Sequence, residues 1–214
     1  MKYRISVIMG IYNCAPTLRE AFDSMLAQTY KGFKVIMCDD GSKDDTYAIA
    51  KEYANKYENF IVIKNKYNMK LAATLNHCIE YVDTEFIARM DGDDISVPNR
   101  FETLINFLDA HPEYAFVSCA MTHFDENGDW KVTRKEPEPT INSFKRTSPF
   151  CHAPVLMRTE ALRAIGNYTA EPKVERMEDY YLWHKFYCAG YKGYNLQDPL
   201  YKMRDDKNAT IRRH

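Results

Sequence analysis

The sequence predicts an α/β fold with a mostly parallel central sheet. Two observations carry that expectation. Short apolar runs rich in β-branched residues alternate with stretches whose apolar residues recur at helical spacing, the pattern of repeated βαβ units. The 214 residues, 45% hydrophobic and 28% charged, are also enough for one globular domain and ordinary for it.

The elements follow in order. "ISVIMGIY" (5–12) reads as a buried strand, and Pro16 opens a helix whose Leu18, Ala21, Phe22, Met25 and Leu26 form one apolar stripe. "FKVIMC" (33–38) is a second strand ending in "DDGSKDDT", followed by a helix with Tyr47, Ala50, Tyr53, Ala54 and Tyr57 on one face. "FIVIK" (60–64) is a strand, and Leu71, Leu75, Cys78, Ile79 and Val82 mark a helix. "EFIARM" (85–90) is another strand, running into "DGDD". The next helix carries Phe101, Leu104, Ile105 and Leu108 inward and stops near His111-Pro112. "YAFVSCAMTHF" (114–124) is a strand, and Glu126-Asn127-Gly128-Asp129 a hairpin turn. Beyond residue 131 the regularity weakens: "CHAPVLMR" reads as a strand, "TEALRAIG" as a short helix closed by Gly166, and a longer helix runs from about Met177 to Ala189. In such a sheet, ligands sit beyond the carboxyl ends of the strands.

Charge and cysteine usage narrow the function. A formal net charge of −1 argues against nucleic acid as the partner. The closing "YKMRDDKNATIRRH" is locally basic, a hint of an acidic ligand or a membrane surface. Six cysteines are scattered singly, without metal-ligand spacing, which fits a reducing compartment. The first residues lack the apolar run of a secretory leader, and no run approaches a membrane span, so a cytoplasmic location with peripheral membrane contact is expected.

Two acidic clusters follow strand ends, "CDDGS" and "MDGDD". Carboxylates spaced Asp-Gly-Asp can present oxygens to a hard cation such as Mg²⁺ or Mn²⁺, which takes one or two carboxylates plus substrate phosphates. Turn formation and helix capping explain any one cluster equally well: Ser42, Asp44 and Asp45 suit a cap, as do Asp94 and Ser96. No GxGxxG follows the first strand and no phosphate loop is present. Glu178 and Asp179 open the last helix, where acids suit the helix dipole and a carboxylate facing substrate could act as a base. His152 reads first as a buried imidazole, and Lys70 and Arg204 as solvated cations, each also able to meet a phosphate.

The order "SVIMGIYNCAPTLREAFDSMLAQTY", "FKVIMCDDGSKDDT", "NMKLAATLNHCIE", "FIARMDGDDISVPNRF", "CHAPVLMRTEALRAIGNY", "MEDYYLWHKFYCAGY" resembles the family 2 glycosyltransferases from residue 3 to about residue 204. The resemblance implies a GT-A fold: a Rossmann-like αβα sandwich forming one domain over 1–214, with a nucleotide-sugar part (1–125) and an acceptor-side part (126–214) that ends sooner than in many relatives. It implies inverting transfer from a nucleotide-diphosphate sugar, by family habit a UDP-sugar, to a hydroxyl of a carbohydrate or lipid-linked sugar acceptor, in surface polysaccharide or lipid-linked oligosaccharide synthesis. Tyr12 would contact the base, Asp40 would hydrogen-bond it, and Lys70 would meet the sugar donor. Asp91 would serve ribose or metal, Asp93 the Mn²⁺ or Mg²⁺ ion, and Asp179 would be the general base. Met69-Lys70 stand where relatives commonly carry Gly-Leu-type residues, and no QxxRW motif marks a processive synthase. A haloacid-dehalogenase-type phosphohydrolase, which also sets Asp-x-Asp after a strand, and a non-catalytic nucleotide-sugar-binding module are the competing readings.

Overall fold

The computed structural model describes residues 2–144 and 147–205. The first half is built as its hydrophobic pattern dictates. Strand β1 (Ile5–Ile11) leads into helix α1 (Ala15–Leu26), β2 (Phe33–Asp39) into α2 (Thr46–Lys56), and β3 (Phe60–Lys64) into α3 (Lys70–Ile79). Strand β4 (Phe86–Arg89) follows, then a two-residue strand β5 (Ile95–Ser96) and helix α4 (Arg100–Ala110). The rest comprises β6 (Phe116–Asp125), β7 (Gly128–Thr133), β8 (Leu156–Arg158), α5 (Thr159–Ala164), α6 (Glu178–Cys188) and β9 (Gly193–Arg204).

The main sheet runs in the order β3-β2-β1-β4-β8-β6-β9-β5, with β7 paired to β6. Strands β1 to β4 are mutually parallel, β8 lies antiparallel between β4 and β6, and β9 is parallel to β6. Because strand side chains alternate faces, β1 divides its apolar residues between two cores. Ile5, Val7, Met9 and Ile11 join Phe22 of α1, Tyr53 of α2 and Phe101 of α4 on one side. Ile8 joins Leu75 of α3, Leu162 of α5 and Trp183 of α6 on the other. The result is an αβα sandwich.

Three differences from the sequence reading have physical causes. Strand β9, twelve residues long, breaks its alternation at Pro199, where its register against β6 shifts, so its period-two signal is lost. Strand β8 is three residues long, because the "CHAP" portion of its run lies outside the ladder. Asp94 and Ser96 cap no helix: Asn99 holds the cap position of α4, while Ser96 is paired to Tyr201 in the ladder. Of the basic closing stretch, residues 206–214 lie outside the described residues.

Candidate active site

Parallel neighbours end at one edge of the sheet, so the turns after β1, β2 and β4 converge there. A cavity of about 470 Å³ opens between them, lined by Tyr12, Asn13, Asp91, Gly92, Asp93 and Arg204, among others. Gly10 and Tyr12 also line an adjoining pocket of about 180 Å³ with Asp40, Asn68 and Lys70. Lys70 in turn borders a third groove, of about 140 Å³, which reaches Glu175 and Glu178. The three cavities adjoin through shared lining residues, between the acidic turn after β4 and the start of α6.

The turn after β2 is acidic for structural reasons. Asp39 is fully buried and accepts from the Ser42 amide at 3.2 Å, with the Lys64 ammonium 3.4 Å from its other oxygen. Asp44 accepts from the Ala15 amide and the Thr46 amide, both at 3.1 Å, so one carboxylate serves the first turns of two helices. Gly41 is left-handed at φ 77°, and a Cβ there would meet the Tyr67 and Asn68 backbone at 3.1 Å.

Asp40 is 4% exposed. Its Oδ1 accepts from the Met69 amide and the Asn65 side chain, both at 2.8 Å, and its Oδ2 from the Lys70 amide at 3.0 Å. A carboxylate has about four acceptor positions, so one on Oδ2 is left for a ligand in the pocket it lines. Lys70 sits at φ 70°, a left-handed conformation disfavoured for residues other than glycine. The Asp40 carboxylate is what holds it there. Its ammonium lies 3.4 Å from Glu175 across the third groove.

The turn after β4 is arranged differently. Its main chain is fastened at every step. Thr17 donates to the Gly92 carbonyl at 3.0 Å, and Arg204 donates through Nε to the Asp93 carbonyl at 3.0 Å. Buried Asp94 accepts from the Arg204 amide at 2.8 Å, tying the turn to β9. Gly92 is needed here for proximity: a Cβ would come 2.7 Å from Cys14 Sγ. Asp91 is paired with the buried Arg89 guanidinium at 2.5 Å. The Asp93 carboxylate receives no side-chain donor among the described residues and faces the cavity. Burial, followed by the charge of Asp91, pushes its acidity down and its pKa up. A carboxylate under that pressure, with no side-chain donor among the described residues, is one that a cation would relieve.

Arginines answer this crowding. Arg89 and Arg100 are buried beneath the turn, and Arg204 faces the cavity while also pairing with Glu20. Sequence reading passed over the first two: Arg89 lies inside an apolar run, and Arg100 stands among the polar residues at the start of a helix. The available signal was a guanidinium that an amphipathic pattern would place inside the core.

Asp179 stands in the first turn of α6, half-buried. Between it and the acidic turn lies Tyr168, whose hydroxyl meets His152 Nε2 at 2.9 Å. Burial raises the Tyr168 pKa, and the negative charges of Asp179 and Asp91 both act on it in the same direction. Burial, with Arg89 close by, holds His152 well below the usual imidazole range, while the residue itself is half-buried rather than in the core.

The glycosyl transferase family 2 model matches residues 6–166 of this chain. The chain belongs to that family. It is therefore an enzyme of glycosyl transfer. It is 46% identical over 213 residues to a putative glycosyltransferase, EpsE, of Bacillus subtilis, covering 98% of this chain and 76% of that one. It is 29% identical to WfaP of Escherichia coli, a UDP-Glc:α-D-GlcNAc-diphosphoundecaprenol β-1,3-glucosyltransferase, over 93% of this chain and 77% of that one. The fold is that of the Staphylococcus aureus protein TarS in its complex with UDP, at a TM-score of 0.77 and 24% identity. That match covers 94% of this chain and 60% of the TarS chain in that structure, which comprises residues 1–349, so this chain spans about three fifths of it. Family membership replaces the phosphohydrolase reading, and the topology agrees: "DGDD" follows β4 rather than the opening strand.

Proposed function

We propose that the cleft binds a nucleotide-diphosphate sugar, with UDP-sugars the first to test, and transfers its sugar with inversion to a hydroxyl acceptor. The observation that supports this reading is a set of adjoining cavities lined by Tyr12, Asp40, Lys70, Asp91 and Asp93, with Asp179 following Glu178, which borders the third of them. Tyr12, 43% exposed, offers a ring face to a base, and Asp40 keeps one acceptor position for a base N–H. Asp91 serves the ribose or the metal side. Lys70 and Arg204 place positive charge where the diphosphate departs.

The donor set fits a hard divalent ion only in part. Asp93 supplies an uncommitted carboxylate and Asp91 a second, partly engaged one, and the described residues contain no group of three metal-ligating side chains. Mg²⁺ and Mn²⁺ accept such a set when phosphate oxygens complete it. When bound, the ion would neutralise charge on the leaving diphosphate. Asp179 takes the proton of the attacking acceptor hydroxyl, which needs a carboxylate on the side away from the leaving group.

For the acceptor we propose a carbohydrate or lipid-linked sugar in polysaccharide synthesis, supported by WfaP acting on a diphosphoundecaprenol-linked sugar. No helix among the described residues is long and apolar enough to cross a membrane, and contact with such an acceptor would be peripheral. On this reading residues 1–125 hold the sugar donor and the remainder completes the acceptor side of one domain. A thermal-shift panel of nucleotide sugars with Mn²⁺ or Mg²⁺ tests it. One donor should raise the melting temperature in proportion to the logarithm of its concentration, and a flat panel would count against the reading.

A further inference from the structure

Two fully buried side chains behind the acidic turn, Tyr201 at the edge of the core and Arg100 beside it, carry polar groups that core packing does not explain. Arg100 and Tyr201 are both 0% exposed. Arg100 has no carboxylate within ion-pair distance among the described residues, and its Nε finds no hydrogen-bond partner. A buried guanidinium without a paired anion costs stability, and an apolar residue of similar volume would serve the core better. What Arg100 does is donate through Nη2 to the Arg89 carbonyl at 2.7 Å, at the point where β4 ends. Its guanidinium lies 5.0 Å from the centre of the Tyr201 ring and 4.7 Å from that of Phe101. The Tyr201 hydroxyl accepts the Asp91 N–H at 3.1 Å, and the charge of the buried Asp94 carboxylate acts on it. Tyr201 is itself fixed by pairing with Ser96, on the far side of the turn.

The pair thus grips the turn from below, at the carbonyl of residue 89 and the amide of residue 91, and neither side chain donates to the Asp93 carboxylate. We infer that Arg100 and Tyr201 are positioning residues that hold the 90–94 turn in the shape that receives a divalent cation together with a nucleoside diphosphate. The inference rests on the sugar-donor reading above. A rigid support lowers the ordering cost of binding, and supports of this kind are worth about 10–100-fold in metal affinity where they hold ligands in place.

Tyr201→Phe keeps the ring, the volume and the contact with Arg100 while removing the hydroxyl. Arg100→Lys keeps the charge and removes the planar fork. For each variant, UDP affinity is measured with and without Mn²⁺, beside the melting temperature. The expected result is that Mn²⁺ strengthens UDP binding in the wild type and that this gain shrinks about tenfold in both variants. UDP affinity without Mn²⁺ is expected to stay within twofold. Retention of the full Mn²⁺ gain in both variants would overturn the inference and leave the sugar-donor reading standing, whatever their melting temperatures. An equal loss of affinity with and without Mn²⁺, tracking a lower melting temperature, would also overturn it, since that is the signature of a purely structural pair. Absence of any Mn²⁺ gain in the wild type would instead sink the sugar-donor reading, and the inference with it.

Discussion

The turns after β2 and β4 are both rich in aspartate, follow the two strands that flank β1 in one sheet, and differ in where their carboxylate oxygens go. In the first, Asp39, Asp40 and Asp44 accept main-chain N–H groups from Ser42, Met69, Lys70, Ala15 and Thr46. Those bonds knit three loops together, and they are the strong, charge-assisted kind. In the second, the main chain is held by Thr17, Tyr201 and Arg204, and guanidinium groups supply the countercharge. Asp93 is left without a side-chain donor among the described residues. The accounting of hydrogen bonds separates an acidic turn that builds the cleft from one equipped to bind within it. Asp40 does both, since it shapes the pocket proposed for the nucleotide with three bonds and keeps one acceptor position.

Substitutions sharpen the contrast. The largest effect on turnover is expected at Asp93. Asp93→Asn keeps shape and removes charge, so sugar transfer should fall by about 10²–10³-fold with little change in melting temperature. Retained activity would erase the distinction between the turns. Asp40→Asn should act mainly on the fold. It weakens charge-assisted bonds to a buried loop and replaces an acceptor with an amide N–H facing donors. A loss of about 2–3 kcal/mol is expected, seen as a melting temperature lower by about 5–10 °C. A normal melting curve would mean those bonds carry little. The smallest effect is expected at Lys70. Lys70→Gly relieves the left-handed backbone and should raise stability by about 1 kcal/mol while weakening the nucleotide-sugar KM through loss of the ammonium. Lower stability would mean the ammonium's pairing with Glu175 outweighs the strain.

How much of this was legible beforehand depended on whether the cause was local. The αβα architecture, the first four strands and the apolar faces of α1, α3 and α4 follow from periodicity, because each element buries its own stripe. The acidic turns were visible as clusters, and Gly41 and Gly92 as turn residues. Why Gly92 is glycine was not visible. It allows Cys14 to approach, a contact made by a residue far away in sequence. Strand β9 hid its period behind Pro199, and its Tyr201 and Arg204 act on a turn more than a hundred residues earlier. Local pattern says nothing of such pairings. Arg89 and Arg100 were likewise silent, since a buried cation acquires meaning only once its anion or carbonyl is placed.

The division of labour between the two turns is tested most directly by calorimetric titration of UDP, with and without Mn²⁺, into the wild-type protein, Asp93→Asn and Asp40→Asn. The account predicts that Mn²⁺ strengthens UDP binding in the wild type and in folded Asp40→Asn, and that this strengthening disappears in Asp93→Asn. A Mn²⁺ gain that survives in Asp93→Asn and vanishes in Asp40→Asn would reverse the roles of the two turns.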